Sequence, residues 1–114
     1  MNENTFTVNE NKLLLNGQVF VILDENIQDF ITTDDSIVIL VNADISQNDR
    51  NVYCYNFDGK LRWRILPLDK LHFQNYYTSV YLSDEDLLQA YNINGVEVTL
   101  DKRDGNFIKK ELIK

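Results

Sequence analysis

The sequence holds one cysteine, one proline, one histidine and four glycines in 114 residues. A lone Cys54 excludes an internal disulfide, and no Asn-x-Ser/Thr sequon occurs, a combination expected of a protein of the reducing cytoplasm. No window approaches the run of about 18 apolar residues that a membrane-spanning helix needs, so no membrane association is expected. The opening stretch "MNENTFTVNENK" lacks a basic n-region and an apolar h-region, and no signal peptide is expected. One His and one Cys cannot furnish a zinc site. Asp104, Gly105 and Glu111 fall where a calcium loop has its fifth, sixth and twelfth residues. Leu100 and Lys102 would stand at its first and third positions, though, and neither can ligate a hard cation. A hairpin turn is the better reading of that stretch. The glycines are scattered through separate turns rather than gathered into a phosphate-cradling loop.

Catalytic groups are equally scarce. His72 has no serine or cysteine nucleophile in a recognisable motif around it. Cys54, between Tyr53 and Tyr55, reads as a small buried hydrophobe. No catalytic residue, metal or other cofactor is therefore expected, and the chain is not expected to be an enzyme.

What the sequence does hold is acid, unevenly placed. The net charge is −7. Residues 1–50 carry nine acidic side chains against Lys12 and Arg50, whereas residues 51–114 carry nine of each sign. An acidic field repels phosphate backbones, so nucleic-acid binding is not expected. It favours a basic protein partner and hastens encounter at low salt.

Strand signals dominate the patterning. Three β-rich runs, at about 5–9, 12–15 and 18–23, are separated by Asn-rich turns, among them Asn16-Gly17, a strong two-residue hairpin signal. Ile37 to Val41 is continuously apolar, as in a strand covered on both faces. "NVYCYNFDGKLRWRI" (51–65) reads as a hairpin around Asp58-Gly59, with Val52 and Cys54 on the face opposite Tyr53 and Tyr55. In its second arm, alternation places Leu61, Trp63 and Ile65 on one face and Lys60, Arg62 and Arg64 on the other. Pro67 ends that arm. "SDEDLLQAY" (83–91) has a helix-capping pattern in Ser83 and Asp86, but strand is preferred because its counterpart is β-branched. That counterpart emerges when "FITTDDSIVILVN" (30–42) is laid over "VYLSDEDLLQAYN" (80–92) at an offset of 50. The result is a repeat of about 45–50 residues, each copy a four-stranded antiparallel meander.

An apolar-aromatic strand, a Gly turn, then Lys-apolar-x-Trp resembles the blade repeat of pyrroloquinoline-quinone-type β-propellers. Val52-Tyr53, Asp58-Gly59-Lys60 and Trp63 match it. Leu100-Asp101, Gly105 and Phe107 match it less fully, with Lys109 where the Trp would fall. The resemblance concerns architecture and does not bring the quinone cofactor. It implies an all-β single domain over 1–114: an N-terminal hairpin region at 5–26, a first blade-like repeat at 27–67 and a second at 76–114. A closed ring needs at least about four blades, so the sheets must pack on one another as a sandwich-like unit or be covered by a partner.

By overall type, the chain also looks like a bacterial immunity protein: small, acidic, β-rich and without catalytic residues. That resemblance implies direct binding to a basic cognate toxin, a nuclease being one such target. Asp24, Glu25, Asp29, Asp34, Asp35, Asp44 and Asp49 are the charged candidates for this contact. Tyr53, Tyr55, Tyr76 and Tyr77 are the aromatic ones, tyrosine giving large contact area with few torsions to freeze. The alternative expectation is a propeller-like structural module that homo-oligomerises.

Overall fold

The computed structural model describes residues 5–113. Among them the chain forms eleven β-strands and no helix. The strands make three antiparallel meanders. The first sheet is β1 (Phe6–Asn9), β2 (Lys12–Leu15) and β3 (Gln18–Ile22). The second is β4 (Ile27–Thr32), β5 (Ser36–Val41), β6 (Val52–Asn56) and β7 (Leu61–Arg64). The third is β8 (Tyr77–Leu82), β9 (Leu88–Asn92), β10 (Val96–Leu100) and β11 (Phe107–Leu112). The Asn16-Gly17 turn has φ of 51° and 82°. Two consecutive positive values match the twist of the flanking strands, which is why Asn-Gly is chosen there.

The second sheet is the middle layer of a three-layer stack. Val38, Leu40, Val52, Cys54, Trp63 and Ile65 face the third sheet and pack with Val80, Leu88, Ala90, Val98 and Leu100. Ile37, Ile39, Val41 and Tyr53 face the first sheet and pack with Leu13, Val21 and Leu23. Every residue of β5 is buried, as its unbroken apolar run requires. Each such aliphatic side chain contributes about 1.5–3 kcal/mol by leaving water. Asn51, fully buried, ties the layers together. Its amide nitrogen donates to the carbonyls of Val41 and Tyr77 at 2.9 and 2.8 Å, and its oxygen accepts the Tyr77 N–H at 2.8 Å.

The three meanders are copies of one plan. In each, the pairing of the last two strands is broken by a bulge: at Leu13/Leu14, Cys54/Tyr55 and Thr99/Leu100. Leu13, Cys54 and Thr99 are thus equivalent, as are their partners Val21, Trp63 and Lys109. A second bulge, in the first strand pair, recurs at Ile27/Asp29 and Tyr77/Ser79. The 5–26 region is therefore not a hairpin beside two repeats. Among the described residues it is a third meander with the last three strands of the plan. Within 83–91, Ser83 turns the chain by accepting the N–H groups of Glu85 and Leu87, and β9 follows as a strand. That turn is one residue longer than its counterpart, so the offset of 50 holds for β4 and β8 and becomes 51 for β5 and β9.

Lys109 is where the stack ends. Its counterpart Trp63 points to the next sheet, whereas the outer face of the third sheet is polar. Gln89 donates to Glu97 and Thr99 there, and Tyr81 hydrogen-bonds Glu97. Terminal members of stacked repeats carry such a face. Strand alternation in 51–65 also holds for Val52/Cys54 against Tyr53/Tyr55 and for Trp63/Ile65. The bulge changes it at Leu61, which stands opposite Tyr55 and is exposed.

Candidate functional site

The meanders gather their loops at two ends. At the end where β4 starts lie the 23–26 segment, the long 42–51 loop and the 65–76 connection. The 42–51 loop is held by specific bonds. The Asn42 N–H donates to the Asn26 carbonyl at 2.8 Å, and the Gln47 N–H to the Ala43 carbonyl at 2.8 Å. One oxygen of Glu25 accepts both the Ser46 hydroxyl (2.9 Å) and the Asn48 amide (2.8 Å). Arg50 and Arg64 point their guanidinium groups at backbone carbonyls, Arg50 to those of Ile65 and Arg64, and Arg64 to that of Arg50. Arg64 also lies over the Tyr53 ring at 4.8 Å. These cations are thus occupied, and among the described residues neither forms an ion pair with a carboxylate.

Between the 23–26 segment and the loop is a shallow groove of about 540 Å³ lined by Asp24, Glu25, Asn26, Asn42, Asp44, Ile45 and Ser46. Ile45 is 94% exposed on its rim. The 65–76 connection presents Leu71 and Phe73, 90% and 96% exposed, at this same end. Asp69 shapes that connection by accepting the N–H groups of Leu71 and His72 and the His72 ring at 2.8 Å. The His72 contact holds the Asp69 carboxyl below its ordinary range. His72 is accordingly one half of an exposed loop pair, and Cys54 lies buried in the core. Among the described residues no group of three or more His, Cys, Asp or Glu could hold a metal ion.

The acidic candidates separate. Asp24, Glu25, Asp44 and Asp49 sit at the groove end, and Asp29 is exposed in β4. Asp34 and Asp35 lie in the β4–β5 turn at the opposite end. Asp35 is paired there with Arg62 at 3.1 Å, which lowers its pKa. Two other acids of that end are paired, Asp86 with Lys102 and Asp101 with Arg103, whereas Asp34, Asp58, Asp84, Glu85 and Asp104 are in no ion pair among the described residues. Among the described residues, none of Asp24, Glu25, Asp29, Asp44 and Asp49 takes part in an ion pair, and the pair described at the groove end is His72 with Asp69.

The tyrosine candidates are displaced from the surface. Tyr77 is 1% exposed, and burial drives its phenol pKa upward. Its hydroxyl donates to the Leu66 carbonyl. Tyr53 and Tyr76 are buried too. Tyr55 is half-buried against the first sheet, and its pKa is raised by burial. Both faces of β6 are covered, so alternation there separates two cores rather than a core from a surface. The most exposed apolar residues of the groove end are instead Ile45, Leu71 and Phe73. "ADISQND" reads as a plain polar loop, and its one isolated isoleucine was the available signal.

Residues 3–112 match a family described as a domain of unknown function, DUF7957. No curated protein matches the chain. Among solved structures it is similar to the computationally designed Ika4 protein, with TM-score 0.65 and 12% identity over 97% of this chain and 68% of that one. It is also similar to the computationally designed Ika8 protein, with TM-score 0.60 and 12% identity. The chain spans 36% of the Ika8 chain. At this identity the likeness is one of fold.

Proposed function

The chain belongs to the DUF7957 family, a membership that brings no activity with it, and we propose from the geometry that it is a non-catalytic binding protein whose groove end engages a basic protein. One observation carries this reading. The carboxylates of Asp24, Glu25 and Asp44 line a groove without an ion pair and beside an exposed isoleucine. Unpaired charge steers a partner of opposite sign, and apolar tips on bond-stiffened loops give it something to bury.

In its sharper form the proposal is an immunity protein of the cytoplasm, occluding a basic toxin such as a nuclease. The small acidic β-stack and the free, buried Cys54 support that form. The meanders are read as blade-like in the manner of quinone-type propellers, on the strength of their repeated bulge and of Trp63 following the Asp58-Gly59 turn. Ring closure by self-association has less support, because the outer face of the third sheet is polar.

The test uses Asp24→Lys and Asp44→Lys together, since neither side chain accepts a hydrogen bond among the described residues. A partner is isolated on the wild-type protein from its native cell and identified, and association is followed across salt concentrations. The double variant should associate at least about tenfold more slowly at low salt and lose most of the salt dependence. Unchanged association would reduce the acidic end to a solubility feature.

A further inference from the structure

We propose that the open edge of β1 is an acceptor for an extended segment of another polypeptide, which adds as the first strand that the described residues do not supply to the first meander. The repeat itself defines the vacancy. In the second and third sheets, β1's counterparts β5 and β9 are flanked on one side by β4 and β8. In the first sheet β1 is the edge, and Thr7, Val8 and Asn9 are exposed along it. The Asn16 N–H donates to the directly opposed Thr5 carbonyl. Antiparallel ladders alternate, so Thr7 and Asn9 bond to β2 while the N–H and C=O groups of Phe6 and Val8 point outward. No Lys, Arg or Pro guards this edge in the manner of natural edge strands.

The second sheet shows the same vacancy from below. Phe30 of β4 and Val80 of β8 are equivalent positions. Val80 is only 4% exposed in the core between the second and third sheets, where β8 packs against β4 and β5. Phe30 is half-buried, its ring edge-on to that of Phe6 with centroids 6.2 Å apart, because among the described residues no first strand of the first meander lies against it. An incoming strand would run antiparallel to β1, as β4 runs to β5, and set alternate apolar side chains on Phe30. All eleven strands among the described residues are already committed to a sheet, so the occupant comes from outside them. Main-chain bonds would supply the affinity and the Phe30 seat the preference for apolar residues, the pattern of strand addition. This inference does not depend on the groove reading, and its experiment leaves the groove untouched.

The probes are the protein's own first strands as synthetic peptides, residues 26–33 (NIQDFITT) and 76–83 (YYTSVYLS), each with a C-terminal Lys-Lys tail. Binding to the whole chain is read by backbone amide exchange. At least one peptide should slow exchange of the Phe6 and Val8 amides about tenfold or more, with the Thr7 and Asn9 amides already protected. The same peptide N-methylated at alternate residues should not bind. Val8→Pro, which removes an outward N–H and is tolerated on an edge, should abolish binding while leaving the exchange of β5 unchanged. Absence of binding by both peptides, protection confined to other strands, or equal binding by the N-methylated peptide would overturn the proposal. So would concentration-dependent protection of Phe6 and Val8 without peptide, which would give the edge to a second copy.

Discussion

Gly105 lies flat against the indole of Trp63. A methyl group added at Gly105 would meet the ring carbons Cδ2 and Cε3 at 2.6 Å. Gly105 belongs to the β10–β11 turn and Trp63 to β7, so this contact locks the third sheet to the second. Trp63 Nε1 donates to the Lys102 carbonyl in the same turn at 2.9 Å. The turn is thus built around the ring that it covers.

Gly105→Ala should accordingly be among the costliest single-methyl additions in the chain. Two effects act together: the φ of +76° costs a side chain about 1–2 kcal/mol, and forcing the indole aside costs about 1–3 kcal/mol more. Urea unfolding followed by Trp63 fluorescence should show a loss of about 2–5 kcal/mol, with an altered native emission. Gly17→Ala is the control. Its φ is also positive, at +82°, but no atom lies within 4 Å of the added carbon, so only the backbone cost should appear.

Asn51 yields a sharper discrimination because it both donates and accepts. Asn51→Leu leaves the Tyr77 N–H and two carbonyls without their partner in the core, at about 1–3 kcal/mol for each group so stranded. Asn51→Asp keeps the acceptor for Tyr77 but turns a carboxylate toward the Val41 and Tyr77 carbonyls, and it should be at least as damaging at neutral pH. Comparable stability for Asn51→Asp and wild type would mean that the Tyr77 N–H bond alone matters.

Much of this architecture was legible in the sequence where a local rule decides it. Asn16-Gly17 follows from turn chemistry and the doubly covered β5 from its unbroken apolar run, and the strand at 88–92 follows from its β-branched counterpart in the repeat. Lys109 at the Trp63 position was legible as well, and the register gives it meaning as the end of the stack. The first meander was not legible as a repeat, because Val21 stands where Trp63 stands and the shared feature is a bulge, which leaves no residue signature. The tyrosines were misplaced for a related reason. Whether Tyr53 faces water depends on a sheet formed by residues thirty or more positions earlier. The division of the acids between two ends likewise depends on which turn falls where, a property of topology.

Cys54 offers a probe of how the stack opens. It is fully buried between the second and third sheets, and burial pushes its thiol pKa up. A thiol reagent should therefore modify the native protein only through unfolding of that interface. The labelling rate should lie at least about a thousandfold below that of the denatured chain and should rise with urea in step with global unfolding. Fast labelling in native buffer would mean that the third sheet separates from the second independently.

Acid should weaken the turn that covers Trp63. Asp101 accepts the Arg103 N–H at 2.8 Å and contacts its guanidinium at 2.9 and 3.2 Å, which lowers its pKa from 3.8 to about 2. A carboxyl depressed in the folded state stabilises the fold fully above its unfolded pKa and loses that contribution as pH falls through the folded value. The window here runs from about 4 down to about 2. Asp101→Asn keeps an oxygen for the Arg103 N–H and removes only the charge. Wild type should therefore be the more stable of the two at pH 6, and the difference should close as pH approaches 2, as read from urea midpoints at each pH. Because the pair is exposed, added salt should narrow the gap at pH 6 as well. A gap that stayed constant between pH 6 and pH 2 would assign the effect to turn geometry, with the Asp101–Arg103 charge pair contributing nothing.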